Sequence, residues 1–144
     1  MSTRTPIAGH PDLTEIRQRY EAAAETPTAQ VAVGMTMLAG LFVALSPWIT
    51  GFSAATPSLA LNNLVIGLAA AVLALSFAAA YQHTHGIAWT CPVLGAWTVV
   101  SVFVMSGTAL TATTVLSNVI GGAVLVLAGA GLMGSAMTSR SRNT

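Results

Sequence analysis

Between Thr26 and Ser139 apolar residues dominate the chain, and no Asp, Glu, Lys or Arg interrupts them. The breaks that do occur are clusters of Pro, Gly, Ser, Thr and His. At roughly 20 residues per bilayer crossing, these breaks predict four helices, at residues 30–48, 59–81, 88–105 and 114–137. Ser46-Pro47-Trp48 and Gly51 punctuate the end of the first, a 82–86 turn containing His83 and His85 separates the second from the third, and a polar 108–113 hinge precedes the fourth. A barrel would need short segments of alternating polarity, and the pattern has none. A water-facing surface cannot be tiled with Val, Leu, Ala and Gly alone, so lipid is the solvent this stretch requires. The predicted fold class is all-α: a four-helix transmembrane bundle.

Charge adds orientation. Arg4, Arg17 and Arg19 precede the first span, Arg140 and Arg142 follow the last, and the three connections carry no basic residue. Arginine excess marks the cytoplasmic side, so both termini are expected in the cytoplasm, consistent with an even number of crossings. Trp48 and Phe52 then fall at the outer interface and Tyr81 and Trp89 at the inner one, the levels where aromatic belts sit. The first thirty residues lack the apolar core and cleavage site of a signal peptide. Within them, residues 11–21 read as a helix whose Leu13, Ile16 and Tyr20 share a face, either lying on the cytoplasmic membrane surface or docking a partner helix, or else forming a solvated tail helix. The expected organisation is a 1–28 cytoplasmic tail, a 29–137 membrane domain and a 138–144 cytoplasmic tail.

Composition changes the picture little. Hydrophobic residues make up 54% and charged residues 6% of 144 residues, far from the soluble balance, and the net charge of +1 offers no footprint for nucleic acid. Every basic residue is Arg, which hints at a GC-rich bacterial genome, and the single Cys91 cannot form an internal disulfide.

A shift of 55 residues superposes Gly40 on Gly95, Ser46 on Ser101, Asn63 on Asn118 and Gly67 on Gly122. Recurrence at one fixed offset reads as a duplicated two-helix unit, with repeat 1 at about 30–81 and repeat 2 at about 85–136. Each unit crosses twice, so the copies should be related by a pseudo-twofold axis along the membrane normal. The string LFVALSPWITGF at 41–52, followed by NLVIG at 63–67, resembles the SPW repeat family of small bacterial integral membrane proteins. The resemblance implies a bacterial, often actinobacterial, plasma-membrane protein of paired helices, with Ser-Pro-Trp near the end of each first helix and no established biochemical activity. In the second unit Ser101-Val102-Phe103 stands in its place, without the proline.

Several residues are candidates for chemistry. Pro47 frees backbone groups that must find partners in hydrocarbon, and Ser46 has the reach to bond back one turn; Trp48 has the shape of an interfacial anchor, and the alternative is an outer-face ligand pocket. Asn63 and Asn118 lie at similar depth and are expected either to bond to each other across helices or to line a polar site for a small solute. His83 and His85 are possible ligands for a metal or haem iron, although zinc sites normally need three or four protein ligands. Cys91 reads as a packing residue. Small residues at Gly67, Ala70, Ala71, Ala74 and Ala78, and at Gly121, Gly129, Ala130 and Gly134, form strips for helix packing within the bundle or against another copy.

No positioned acid, base or nucleophile is evident, so an enzyme is not expected, nor is a cofactor. The first functional reading is a structural or accessory component of a membrane assembly, with lipid and either a homo-oligomer or a membrane-protein partner around it. The alternatives are a small transporter or channel for a neutral solute and a His-ligated metal or haem membrane protein.

Overall fold

The computed structural model describes the backbone of residues 11–24, 26–105, 107 and 110–141, and the side chains of all of these except 19–24, 81–85, 136 and 138–141. Five α-helices follow in order: α1 (Pro11–Ala24), α2 (Pro27–Ile49), α3 (Pro57–Thr84), α4 (Thr90–Val104) and α5 (Ala112–Ser141), with a short 3-10 turn at His85–Ile87. Among the described residues no strand occurs. Among the described residues three helices are long and apolar enough to cross a bilayer, at Pro27–Ile49, Pro57–Ala80 and Ala112–Ser135. The fourth apolar helix, α4, has 15 residues.

The helix ends differ from the sequence reading for local reasons. α2 begins at Pro27, earlier than residue 30, because Thr26 caps it by accepting the Ala29 N–H and Pro27 occupies the first turn, where no amide is needed. Pro47 does not end α2; the helix continues to Ile49 and stops before Gly51, whose φ of 80° turns the chain. α3 breaks at Ala80, close to the expected end at 81, and a further helical turn reaches Thr84. α4 starts at Thr90 instead of 88 because Pro92 has no N–H for the Ala88 carbonyl; the Cys91 N–H takes that carbonyl at 3.3 Å. α5 begins within the polar hinge, where the Thr111 hydroxyl accepts the Thr114 N–H at 3.2 Å and so caps its first turn.

α2 packs along α3 and α4 along α5, and α2 also lies against α5, whereas α3 and α4 meet only slightly. Both tight pairs close on glycine. A Cβ at Gly40 would stand 2.7 Å from the Gly67 carbonyl oxygen, and a Cβ at Gly95 would stand 2.7 Å from the Gly122 carbonyl oxygen. Each backbone therefore presses on its partner with no side chain between, the close approach that small residues permit in membranes. The matched detail extends further: α2 and α4 end, and α3 and α5 begin, at positions 55 apart, and the Thr50 N–H bond to the Ser46 carbonyl has its counterpart in Met105 and Ser101. The core has three apolar layers, around Phe77, Cys91 and Leu132 at one end, around Val43, Ala70 and Leu125 in the middle, and around Phe52, Leu59 and Val102 at the other end.

Gly67→Val and Gly122→Val are expected to destabilise the fold by about 1–3 kcal/mol or more, because the added atoms meet backbone that cannot step aside. Gly34→Ala, which meets nothing within 4 Å, should leave it unchanged. Heating detergent-solubilised variants and measuring the monodisperse fraction that survives tests both.

Candidate functional site: a buried amide layer between helices

Between the middle and far apolar layers the helices turn polar side chains inward. Asn63 is 0% and Asn118 1% exposed, and the Asn63 Nδ2 donates to Asn118 Oδ1 at 2.8 Å, joining α3 to α5. Asn118 Nδ2 in turn donates to the Thr114 carbonyl at 2.9 Å. An amide buried in an apolar medium is costly unless bonded, so the two side chains hold each other's positions. Ser46, Thr98, Ser101, Thr114 and Ser117 share this region and are buried too.

Serine manages the helix ends around this layer. Pro47 lacks the N–H that would reach the Val43 carbonyl one turn back, and Ser46 Oγ donates to that same oxygen at 3.0 Å. Ser101 Oγ makes the corresponding bond to the Thr98 carbonyl at 2.9 Å, although no proline follows it. The Thr50 hydroxyl adds a bond to the Ser46 carbonyl. Trp48 is exposed and borders a shallow, open groove of 360 Å³ with Ser53, Pro57, Leu61 and Leu64. The groove is apolar in its walls, and the amide pair does not line it.

The other candidates divide clearly. Gly67, Ala70, Ala71, Ala74, Gly121 and Gly129 are buried within the chain, Gly121 beneath Phe42 and Val43 and Gly129 beneath Cys91 and Pro92, so these small residues offer no outward strip. Ala78, Ala130 and Gly134 do face outward. Cys91 is fully buried in the first apolar layer. The side chains of His83 and His85, and of Tyr20 and Tyr81, lie outside the described residues. Among the described residues no three His, Cys, Asp or Glu side chains gather where a metal would sit. On α1, Leu13 and Ile16 are exposed.

Sequence reasoning missed one pair. Trp97 Nε1 donates to Asn62 Oδ1 at 3.0 Å on the surface of the bundle, and Asn62 Nδ2 approaches Asn63 Oδ1 at 3.5 Å. The amide layer therefore continues from α5 through α3 to α4. The available signal was the Asn62-Asn63 dipeptide, of which only the second residue recurs 55 positions later; Ser117 stands opposite Asn62 in that comparison, and Phe42 opposite Trp97.

Long apolar helices with their polar groups bonded inside define a multi-pass helical membrane protein. The chain belongs to the SPW repeat domain family, which matches residues 30–132. No curated protein and no solved structure matches it.

If the two amides act together, Asn63→Leu and Asn118→Leu should each destabilise the protein and the double variant should lose less than their sum, with a coupling of about 0.6–2 kcal/mol. Thermal unfolding in detergent, run as a double-mutant cycle, measures it. Cys91 should resist a membrane-permeant maleimide in the folded protein and react fully after denaturation, as mass spectrometry would record.

Proposed function

We propose that this protein is a non-enzymatic structural or accessory component of a bacterial plasma-membrane assembly. In this reading it is a four-span bundle made of two copies of one helical hairpin, α2–α3 and α4–α5, related by a pseudo-twofold axis along the membrane normal. Both termini lie in the cytoplasm, with residues 1–28 and 138–144 as the tails around one membrane domain. The paired glycine contacts, the matched helix ends and the twin serine bonds support the duplication. The arginine bias toward the two tails supports the orientation. That α4, although short, packs along α5, with Gly95 and Val99 on Gly122 and Pro92 on Gly129, supports reading it as the fourth crossing.

The observation that carries the functional reading is the Asn63–Asn118 bond. A carrier of neutral solutes would offer such amides to its cargo; here they are bonded to each other, and Asn118 also to its own helix. The polar groups serve to hold two hairpins in register, which is the work of a scaffold. The buried small-residue strips are committed to internal packing, so attachment to an assembly proceeds through other surfaces.

Crosslinking in native membranes, followed by mild extraction and identification of captured neighbours, tests the proposal. A reproducible membrane-protein companion, another copy included, is the expected result. A protein that is captured alone and remains strictly monomeric would reject it.

A further inference from the structure

The two seams between the hairpins are unequal. On the α2/α5 seam Gly121 lets Phe42 and Val43 lie directly on the helix, and a Cβ at Gly131 would just reach Ala32. Fifty-five positions earlier on α3, Ile66 and Ser76 replace those two glycines, and Trp97 replaces Phe42 on α4. The α3/α4 seam accordingly stays open. At the closed seam Ser117 is buried and donates back to the Thr114 carbonyl of its own helix. At the open seam the equivalent residue is Asn62, half-buried, with its bond to Trp97 on the outer surface.

Asn62 has hydrogen-bonding capacity that no described residue takes up. Trp97 takes one lone pair of Oδ1, and the contact with Asn63 at 3.5 Å engages one N–H at the limit of bonding. Among the described residues nothing else pairs with the amide, which leaves a second N–H and a second lone pair on this half-buried side chain. Lipid tails offer neither donor nor acceptor, and lipid ester oxygens only accept. Another asparagine amide supplies both and is its own complement, as Asn63 and Asn118 demonstrate within the chain. The neighbouring face of α4 points the same way. Val93, Trp97, Val100 and Val104 form an exposed stripe on a helix of 15 residues, about 22 Å long at 1.5 Å per residue. A hydrocarbon core of about 30 Å mismatches that length, and association relieves such a mismatch.

We infer that the α3/α4 seam docks a second copy of this chain, face to face, with the two Asn62 amides bonding across the interface. The contact is isologous, the same patch on both copies. This names the partner surface for the assembling role proposed above and rests on it.

The test uses the full chain in native membranes, carrying Cys91→Ser and one new cysteine. Oxidation should link Val93→Cys and Val100→Cys to themselves, and leave Leu38→Cys and Leu127→Cys, which lie on the outer surfaces of α2 and α5, as single chains. In liposomes, energy transfer between labelled copies should show Asn62→Leu associating about 3- to 30-fold more weakly. That variant is made with native Cys91, whose resistance to maleimide reports that the fold is kept. Self-linking that is equal at Leu127→Cys, or absent at both Val93→Cys and Val100→Cys, would overturn the inference, as would unchanged association of folded Asn62→Leu. Capture of a different protein at Val100→Cys without self-linking would overturn it while leaving the accessory role standing.

Discussion

Hydrocarbon supplies no hydrogen-bond partner, and the described structure follows from that constraint. With no charged residue between Thr26 and Ser139, the polar groups in the apolar stretch must find their partners in protein. Backbone amides meet the requirement by helix formation. Where Pro47 withdraws an amide, the Ser46 hydroxyl takes the stranded Val43 carbonyl. Thr36, Thr98 and Ser76 bond to carbonyls one turn back on their own helices. Among the described residues asparagine takes part in each side-chain bond that passes from helix to helix: Asn63 with Asn118, and Asn62 with the Trp97 indole.

Packing then follows from the absence of a hydrophobic drive between helices already in lipid. Association depends on close contact and on polar bonds, which is why glycine stands wherever two helices press hardest. Gly40 against Gly67 and Gly95 against Gly122 draw each hairpin shut, and Gly121 draws α2 onto α5. At Ile66 the equivalent position carries a branched side chain, and α3 and α4 meet only slightly. Ile66, Ser76 and Trp97 stand on the loosely packed α3/α4 seam side where Gly121, Gly131 and Phe42 stand at the equivalent positions of the tightly packed α2/α5 pair.

The helical class, the long apolar helices and the close-contact glycines were legible because each depends on composition and spacing that survive without tertiary information. A run of neutral residues announces lipid, and Asn and Gly repeating at one offset announce positions that share an environment. The short α4 was harder to read. Its start is decided by Pro92, which acts through the carbonyl of Ala88, while hydropathy counts the intervening residues as span. Pro47 punctuates the last turn of α2 without breaking it, because it lies close enough to the helix end that one serine hydroxyl repairs the ladder. The pairing of Trp97 with Asn62 was not legible, since it joins residues 35 apart in sequence on two helices that otherwise meet only slightly. The direction of the small-residue strips was likewise invisible, because a glycine looks the same in sequence whether it faces a neighbouring helix or lipid.

The number of crossings decides whether this account holds, and α4 is the helix on which it turns. Labelling a single cysteine placed near each terminus, in a Cys91→Ser chain, with an impermeant maleimide in sealed vesicles of known sidedness is the most direct measurement. Four crossings place both labels on the same, cytoplasmic side. Labels on opposite sides would mean that α4 does not traverse the bilayer, and the two hairpins would no longer be equivalent.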